Sequence, residues 1–177
     1  LWTHQIFVVW VGLGYSGFAR ILYFILFNLI FIMAMWSLIL CSKEDPGRVP
    51  CKWVCVYFDD EQNRKLKFCI LCQLFKPERC HHCSSCGRCV LNMDHHCPWI
   101  NNCIGFYNRK PFILMLIYTV LSLLIALIGV LINIPSISEK IENESEGIIS
   151  KMILLLVGTV LYAILLVMVS VFLQFHL

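Results

Sequence analysis

Between Cys69 and Cys103 the chain carries eight of its eleven cysteines and four of its six histidines, within 35 residues. Thiolate and imidazole are the side chains that hold borderline-soft divalent metals, and the spacing here is that of metal ligands. Cys69-x2-Cys72 is followed by Cys83-x2-Cys86-x2-Cys89, with histidines interleaved. Each C-x2-C pair sets two sulfurs on one tight turn, where both reach the same tetrahedral Zn2+. Two closed sites need eight ligands and the stretch offers twelve, so four donors are left over. In Asp94-His95-His96-Cys97 a carboxylate, two imidazoles and a thiol are consecutive. A free thiol is mostly protonated at neutral pH and needs a base beside it to act as a nucleophile. Residues 95 and 97 converge on one side of an extended or turning segment, and Asp94 can orient the imidazole by accepting its other N–H. The chemistry expected is a Cys97 nucleophile activated by His95 on a zinc scaffold.

The elements that must position this module are membrane helices. The 177 residues are 59% hydrophobic and 14% charged, with mean hydropathy +0.78. Soluble globular chains carry about 45–50% apolar and ~25% charged residues, so the composition is that of a membrane protein. From Leu1 to Cys41 the sole charged residue is Arg20. That stretch is about twice the ~20 residues one span requires. The glycine-rich patch Gly12 to Gly17 predicts a turn between a short helix near 1–14 and a second helix over about 18–41, the alternative being one long tilted helix after a surface segment. Asn28, mid-span, is expected to face other helices. Apolar sequence returns from Pro111-Phe112 to about Asn133, and again over roughly Lys151 to Leu173. The chain starts at Leu1 without an initiator Met and stops at Leu177 with an apolar run barely ended, which reads as a trimmed membrane core.

The domains expected are therefore 1–41, with two transmembrane helices; 42–111, a polar cysteine-rich segment; and 112–177, with two more helices joined by a loop over 134–150. Residues 42–110 hold eleven Lys/Arg, whereas 134–150 holds Lys140 alone against Glu139, Glu142, Glu144 and Glu146. The positive-inside bias then puts the cysteine-rich segment in the cytosol and the acidic loop in the lumen or outside. Cytosolic thiols stay reduced, so clustered cysteines there argue for metal over disulfides.

At these residues the chain resembles the DHHC family of protein S-acyltransferases (palmitoyltransferases). The resemblance rests on Cys69-x2-Cys72, then Lys76-Pro77-x-Arg79-x-His81-His82-Cys83-x2-Cys86-x2-Cys89. Asp94-His95-His96-Cys97-Pro98-Trp99-Ile100-x-Asn102-Cys103-Ile104-Gly105 follows, and Asp45-Pro46-Gly47 stands earlier in the chain. It implies an all-α bundle of four transmembrane helices, with a small zinc-bound, β-hairpin-containing cytosolic domain between helices 2 and 3. It also implies the ligand sets Cys69, Cys72, His82, Cys89 and Cys83, Cys86, His96, Cys103 for two structural zinc ions. Cys97 becomes the nucleophile, His95 its base and Asp94 the orienting carboxylate. Cys80 is then a bystander and His81 has no catalytic role. The activity implied is ping-pong transfer of a long-chain acyl group from acyl-CoA, through a thioester on Cys97, to cysteines of membrane-apposed proteins. A Golgi or ER membrane, a possible accessory subunit and no nucleic-acid partner complete the expectation. The competing reading is a catalytically inactive or RING-like zinc scaffold, which has no use for a surplus thiol in an Asp-His-His-Cys run.

Several residues carry two readings. Trp99 either lines the acyl site or anchors at the interface. Lys76, Arg79 and Arg88 suit CoA phosphates, a solvated face or anionic lipid. Cys41, Cys51 and Cys55 lie near the membrane as unmodified or lipid-bearing thiols. Asn143-Glu144-Ser145 is a formal glycosylation sequon. Thr119, Ser122, Ala126, Gly129 and Asn133 put small or polar residues on one face of the third span, either for close helix packing or to leave room for an acyl chain around Ser122.

Overall fold

The computed structural model describes residues 17–50, 53, 67–143 and 148–177. Helix α1 spans Gly17–Lys43, α2 Arg109–Asn143 and α3 Ile148–His176. Between α1 and α2 lie six short strands: β1 Phe68–Cys69, β2 Leu74–Phe75, β3 His81–Cys83, β4 Arg88–Val90, β5 His95–Cys97 and β6 Asn102–Ile104. Each strand pairs antiparallel with its chain neighbour, giving three separate hairpins. The chain divides into two compact units, Leu1–Met35 with Met115–Leu177, and Trp36–Leu114.

The first unit is helical. Phe27, Leu123, Ala126, Val130 and Tyr162 form its buried cluster, one side chain set from each of the three helices. Outward faces are apolar and exposed: Leu156, Val160, Ile164, Val167 and Val171 recur at steps of three and four along α3. An exposed apolar stripe on a long helix is a lipid-facing surface. Gly17–Lys43, Arg109–Ile132 and Met152–His176 are each long and apolar enough to cross a bilayer. This is a membrane protein with three candidate spans among the described residues. The helix expected near 1–14 lies outside those residues, as do most of the Gly12–Gly17 turn, Cys51, Cys55 and two residues of the sequon.

One boundary differs from expectation. The segment read as a loop over 134–150 is helical as far as Asn143, and α3 has begun by Ile148. The apolar window closes near Ile132, but Ile134, Ile137 and Ile141 keep a helical spacing beyond it. The backbone runs helically through Pro135, whose missing N–H removes one ladder bond. Falling hydropathy marks where the hydrocarbon ends, not where the helix does.

The second unit is built on hydrogen bonds and cysteine clusters more than on apolar mass. Pro46 and Gly47 follow the end of α1, and Gly47 adopts φ 121°, a conformation open to glycine. Residues 45–48 then run against the hairpins: Arg48 bridges Val90, Leu91 N–H donates to Gly47 O at 3.1 Å, and Tyr107 N–H donates to Pro46 O at 3.3 Å. A Cβ on Gly105 would collide with the Pro46 and Leu91 carbonyls, so this close approach requires glycine.

Candidate functional site

The three hairpins are repeats with a 14-residue period. Cys69, Cys83 and Cys97 each end a first strand, and the second strands open at Leu74, Arg88 and Asn102. The turns between close on residues in the left-handed region, Gln73 (φ 51°), Gly87 (φ 64°) and Asn101 (φ 53°). His82 faces Cys89 across β3–β4 as His96 faces Cys103 across β5–β6. In the first hairpin the equivalent pair is Phe68 and Phe75, whose rings meet edge to face at 5.0 Å.

Metal-ligand clusters form between successive repeats. The Cys-x2-Cys turn of one hairpin meets the cross-strand His/Cys pair of the next. Cys69 and Cys72 gather with His82 and Cys89, and Cys83 and Cys86 with His96 and Cys103; the donor atoms within each set lie within 4.8 Å of one another. His82 Nδ1 is 3.7 Å from Cys69 Sγ and 3.1 Å from Cys72 Sγ. His96 Nδ1 is 3.6 Å from Cys83 Sγ, 3.5 Å from Cys86 Sγ and 3.6 Å from Cys103 Sγ, and Cys86 and Cys103 sulfurs are 3.4 Å apart. A tetrahedral zinc with bonds of about 2.3 Å to sulfur and ~2.0–2.1 Å to nitrogen has edges of about 3.5–3.8 Å. The tetrads are close to that size, and their Cys3His donor sets fit zinc.

Electrostatics points the same way. Burial would raise the thiols of Cys69 and Cys83, yet the backbone N–H groups of the turns and neighbouring thiols hold both below the ordinary cysteine range. Cys89 and Cys103 are pushed up by burial and then by the thiols beside them. Three sulfurs and an imidazole in contact accumulate negative charge that a cation relieves.

Strand alternation explains which donors remain. Adjacent residues on a strand point to opposite faces. His82 therefore serves one tetrad and Cys83 the next; likewise His96 serves the second tetrad while Cys97 turns away from it. Cys97 occupies the ligand position of its repeat, but Ile100 stands where the second cysteine of the turn would be and no fourth hairpin follows among the described residues. His95, two residues from Cys97, shares its strand face. His95 Nδ1 lies 3.2 Å from Asp94 Oδ2, and its ring meets Phe112 edge-on at 5.4 Å. Cys97 is only 6% exposed. The remaining cysteine of the hairpins, Cys80, is buried beside Cys69 and Cys89, and His81 is exposed.

The other candidates are scattered. Trp99, in the turn after Cys97, is 93% exposed. Lys76 and Arg79 line an open groove with Lys67, Glu78 and His81, a lining that includes none of Asp94, His95 and Cys97. Arg88 instead donates from one Nη to both carboxylate oxygens of Asp45, at 2.8 and 3.0 Å. Cys41 is fully buried, with its sulfur 3.7 Å from Asn108 O, which leaves no room for a lipid. Asn28 donates to Phe24 O on its own helix at 2.8 Å.

In the helical unit, Ser122, Thr119 and Ala126 line an apolar cavity of about 140 Å³ with Phe27, Phe31, Ala34, Met35, Leu123 and Tyr162. Gly129, on the same stripe, serves packing instead. A Cβ there would strike the Tyr23 ring, whose hydroxyl donates to Ile125 O at 3.1 Å.

Two asparagines to which the sequence assigned no role make long-range bonds in this unit. Asn108 is fully buried; its Oδ1 accepts Gly105 N–H, and its Nδ2 donates to Cys103 O at 2.8 Å and Cys41 O at 3.2 Å. The Asn102 amide donates to Glu44 O at 2.8 Å, Cys41 O at 3.2 Å and Ser42 O at 3.3 Å. An asparagine in a polar loop is usually a turn residue, so only the Asn pair beside Cys103 hinted at more.

Membrane helices flanking two Cys3His tetrads define a membrane-embedded zinc-domain protein. The family model described as DHHC palmitoyltransferase matches residues 62–177, more than half the chain, and the chain belongs to that family. It is 40% identical over 128 residues to the Arabidopsis thaliana probable protein S-acyltransferase 14, covering 61% of this chain and 42% of the relative. It is 35% identical over 151 residues to the Rattus norvegicus palmitoyltransferase ZDHHC15, covering 68% of this chain and 45% of the relative. With the Mus musculus palmitoyltransferase ZDHHC2 it shares 61% identity over 56 residues, 32% of this chain and 15% of the relative. The chain spans less than half the length of these relatives.

Proposed function

We propose that this chain is the core of a protein S-acyltransferase that moves a long-chain acyl group from acyl-CoA to protein cysteines through a thioester on Cys97. The observation that carries the reading is the fate of the third repeat. Its cysteine stands at a metal-ligand position with no partner hairpin among the described residues, on the strand face of a histidine that is itself oriented by a carboxylate. Asp94 takes up His95 Nδ1, so Nε2 handles the proton. His95 accepts the Cys97 proton as sulfur attacks the acyl carbonyl, and the C–S bond to CoA breaks with the proton passing to the leaving thiolate. A substrate cysteine then attacks the enzyme thioester, His95 accepts its proton, and the C–S bond to Cys97 breaks with that proton returning to the Cys97 sulfur. Cys97's near-exclusion from solvent protects that thioester from hydrolysis.

The tetrads Cys69, Cys72, His82, Cys89 and Cys83, Cys86, His96, Cys103 would each hold a structural zinc, because four protein ligands leave no open position for substrate. The apolar runs of the sequence support four spans, and the basic composition of the 42–111 segment supports its being cytosolic. Its substrates are then cytosolic cysteines of membrane-apposed proteins, reached from a Golgi or ER membrane, with or without an accessory subunit. Lys67 beside Lys76 and Arg79 supports that groove as the better candidate for CoA phosphates, and Arg88 drops out of that role. Trp99's exposure suits an acyl-contacting or interfacial ring. The Ser122 cavity, with its aromatic and aliphatic lining, suits the acyl chain.

The test is labelling of the full-length protein in defined lipid with a clickable palmitoyl-CoA analogue. A hydroxylamine-sensitive adduct on the peptide containing Cys97 is expected. A fully folded, zinc-loaded protein that takes no label there would overturn the reading.

A further inference from the structure

From the way the third hairpin is fastened, we infer that Asn102 is a positioning residue for Cys97, which rests on the reading of Cys97 as nucleophile. Asn102 is the cross-strand partner of Cys97. The last carbonyls of a helix have no intrahelical partner and must be satisfied from elsewhere. Here those of α1 and the residue after it are satisfied by the reactive hairpin itself. The Asn102 amide reaches Cys41, Ser42 and Glu44 carbonyls, and Asn102 Oδ1 accepts the Cys103 N–H at 2.9 Å. From the helix side, Ser42 Oγ donates to Ile100 O at 2.9 Å, inside the turn that follows Cys97. The strand residue opposite the thiol and the turn beyond it are thus both tied to the end of a membrane-crossing helix.

The repeat supports a docking role for this position. Arg88 is the equivalent of Asn102 in the second hairpin, and it too reaches back to the segment after α1, through Asp45. Leu74, the equivalent in the first hairpin, is apolar, and that hairpin carries no hydrogen bond to residues 41–48 among those the structure describes. Asn108 holds the same carbonyl of Cys41, but it lies beyond the hairpin, and its backbone carbonyl accepts the Phe112 N–H of α2. Asn102 is therefore a hairpin side chain that ties the strand opposite Cys97 to the end of α1. Catalysis depends steeply on such placement, since loss of a productive geometry slows reaction without altering the nucleophile's chemistry.

The experiment uses the full-length protein in nanodiscs and compares wild type, Asn102→Ala and Ser42→Ala. Single-turnover acyl loading, KM for palmitoyl-CoA, zinc content and the rate of Cys97 alkylation by a small maleimide, followed by peptide mass spectrometry, are measured. Asn102→Ala is expected to load at least about tenfold more slowly, with KM, alkylation rate and two zinc ions per chain unchanged. Ser42→Ala, which leaves every hairpin residue intact, should slow loading in the same direction by a smaller factor. Wild-type loading in both variants overturns the proposal, as does a loss in Asn102→Ala that comes with loss of zinc and leaves Ser42→Ala normal. Failure of wild type to load at Cys97 would sink the nucleophile assignment instead.

Discussion

His96 and Cys103 face each other across β5–β6 with Nδ1 and Sγ 3.6 Å apart, one residue away from a cysteine that joins neither tetrad. Scaffold and proposed nucleophile are thus neighbours on one strand, separated by its alternation, and mutation should separate them too. Cys97→Ser is expected to abolish acyl loading while retaining two zinc ions per chain and the wild-type melting curve. Cys103→Ser should lose about one zinc and destabilise the hairpins, because metal binding free energy is folding free energy in so small a domain. Metal analysis alongside gel-based acyl labelling reads both. Loss of half the zinc in Cys97→Ser would mean that the ligands are wrongly assigned.

His95 is held on two sides, by Asp94 at 3.2 Å and by the Phe112 ring edge. In the proposed mechanism one base serves both half-reactions, so His95→Ala should slow loading and transfer together by roughly 10²–10⁴-fold. Asp94→Ala should slow both less, since the carboxylate orients the ring without exchanging the proton. Zinc content should survive each change. A His95→Ala variant with full activity at neutral pH would remove the base from the mechanism.

How much of this was legible in the sequence depends on how local each signal is. Metal ligands announce themselves through spacing along one turn, and spans through runs of apolar residues. Asn102 and Asn108 do not, because the carbonyls they hold at the end of α1 and just after it are 58 to 67 residues away, and any polar side chain could have been there for solvent. Arg88 stood open between a phosphate ligand, a solvated face and a lipid contact because a cation in a basic segment is ambiguous until its neighbour is seen, and its neighbour is Asp45. The helical stretch beyond Ile132 was missed because charge marks the membrane boundary more strongly than it marks a helix end.

The Asp45–Arg88 pair makes an acid-side prediction. Partial burial would raise the Asp45 carboxyl, but bonds from Arg88, the Gly47 N–H and Arg48 outweigh it and hold the group below the ordinary carboxylate range. A depressed carboxyl stabilises the fold above its unfolded pKa of about 3.9, and that contribution is lost as pH falls through the lower folded value. Asp45 is 45% exposed, so screening keeps the effect to ~1 kcal/mol or less. Arg88→Ala should therefore melt below wild type at pH 7. The gap should narrow on acidification below about pH 4 and in high salt. A gap that is constant with pH would assign the loss to packing of the arginine stem.

The small-residue stripe of α2 divides between two jobs, and the division can be tested by paired substitutions. Thr119, Ser122 and Ala126 line the apolar cavity, whereas Gly129 gives way to the Tyr23 ring. The hydroxyls of Thr119 and Ser122 bond back to Met115 O and Tyr118 O, at 2.7 and 2.8 Å. Their polarity is thereby satisfied along the helix, and the wall they present is compatible with a hydrocarbon chain. Ser122 lies ten residues beyond Phe112, about 15 Å along the helix at ~1.5 Å per residue. That is roughly half of a ~30 Å hydrocarbon core. Ser122→Phe adds a ring to a cavity of about 140 Å³, so it should shift preference from C18 toward C14 acyl-CoA in a direct competition, with zinc content unchanged. Gly129→Ala should instead lower thermal stability, because Tyr23 must move, and leave the C14 to C18 ratio alone. If Ser122→Phe folds with an unchanged ratio, the cavity is a packing defect and the whole stripe serves helix contact.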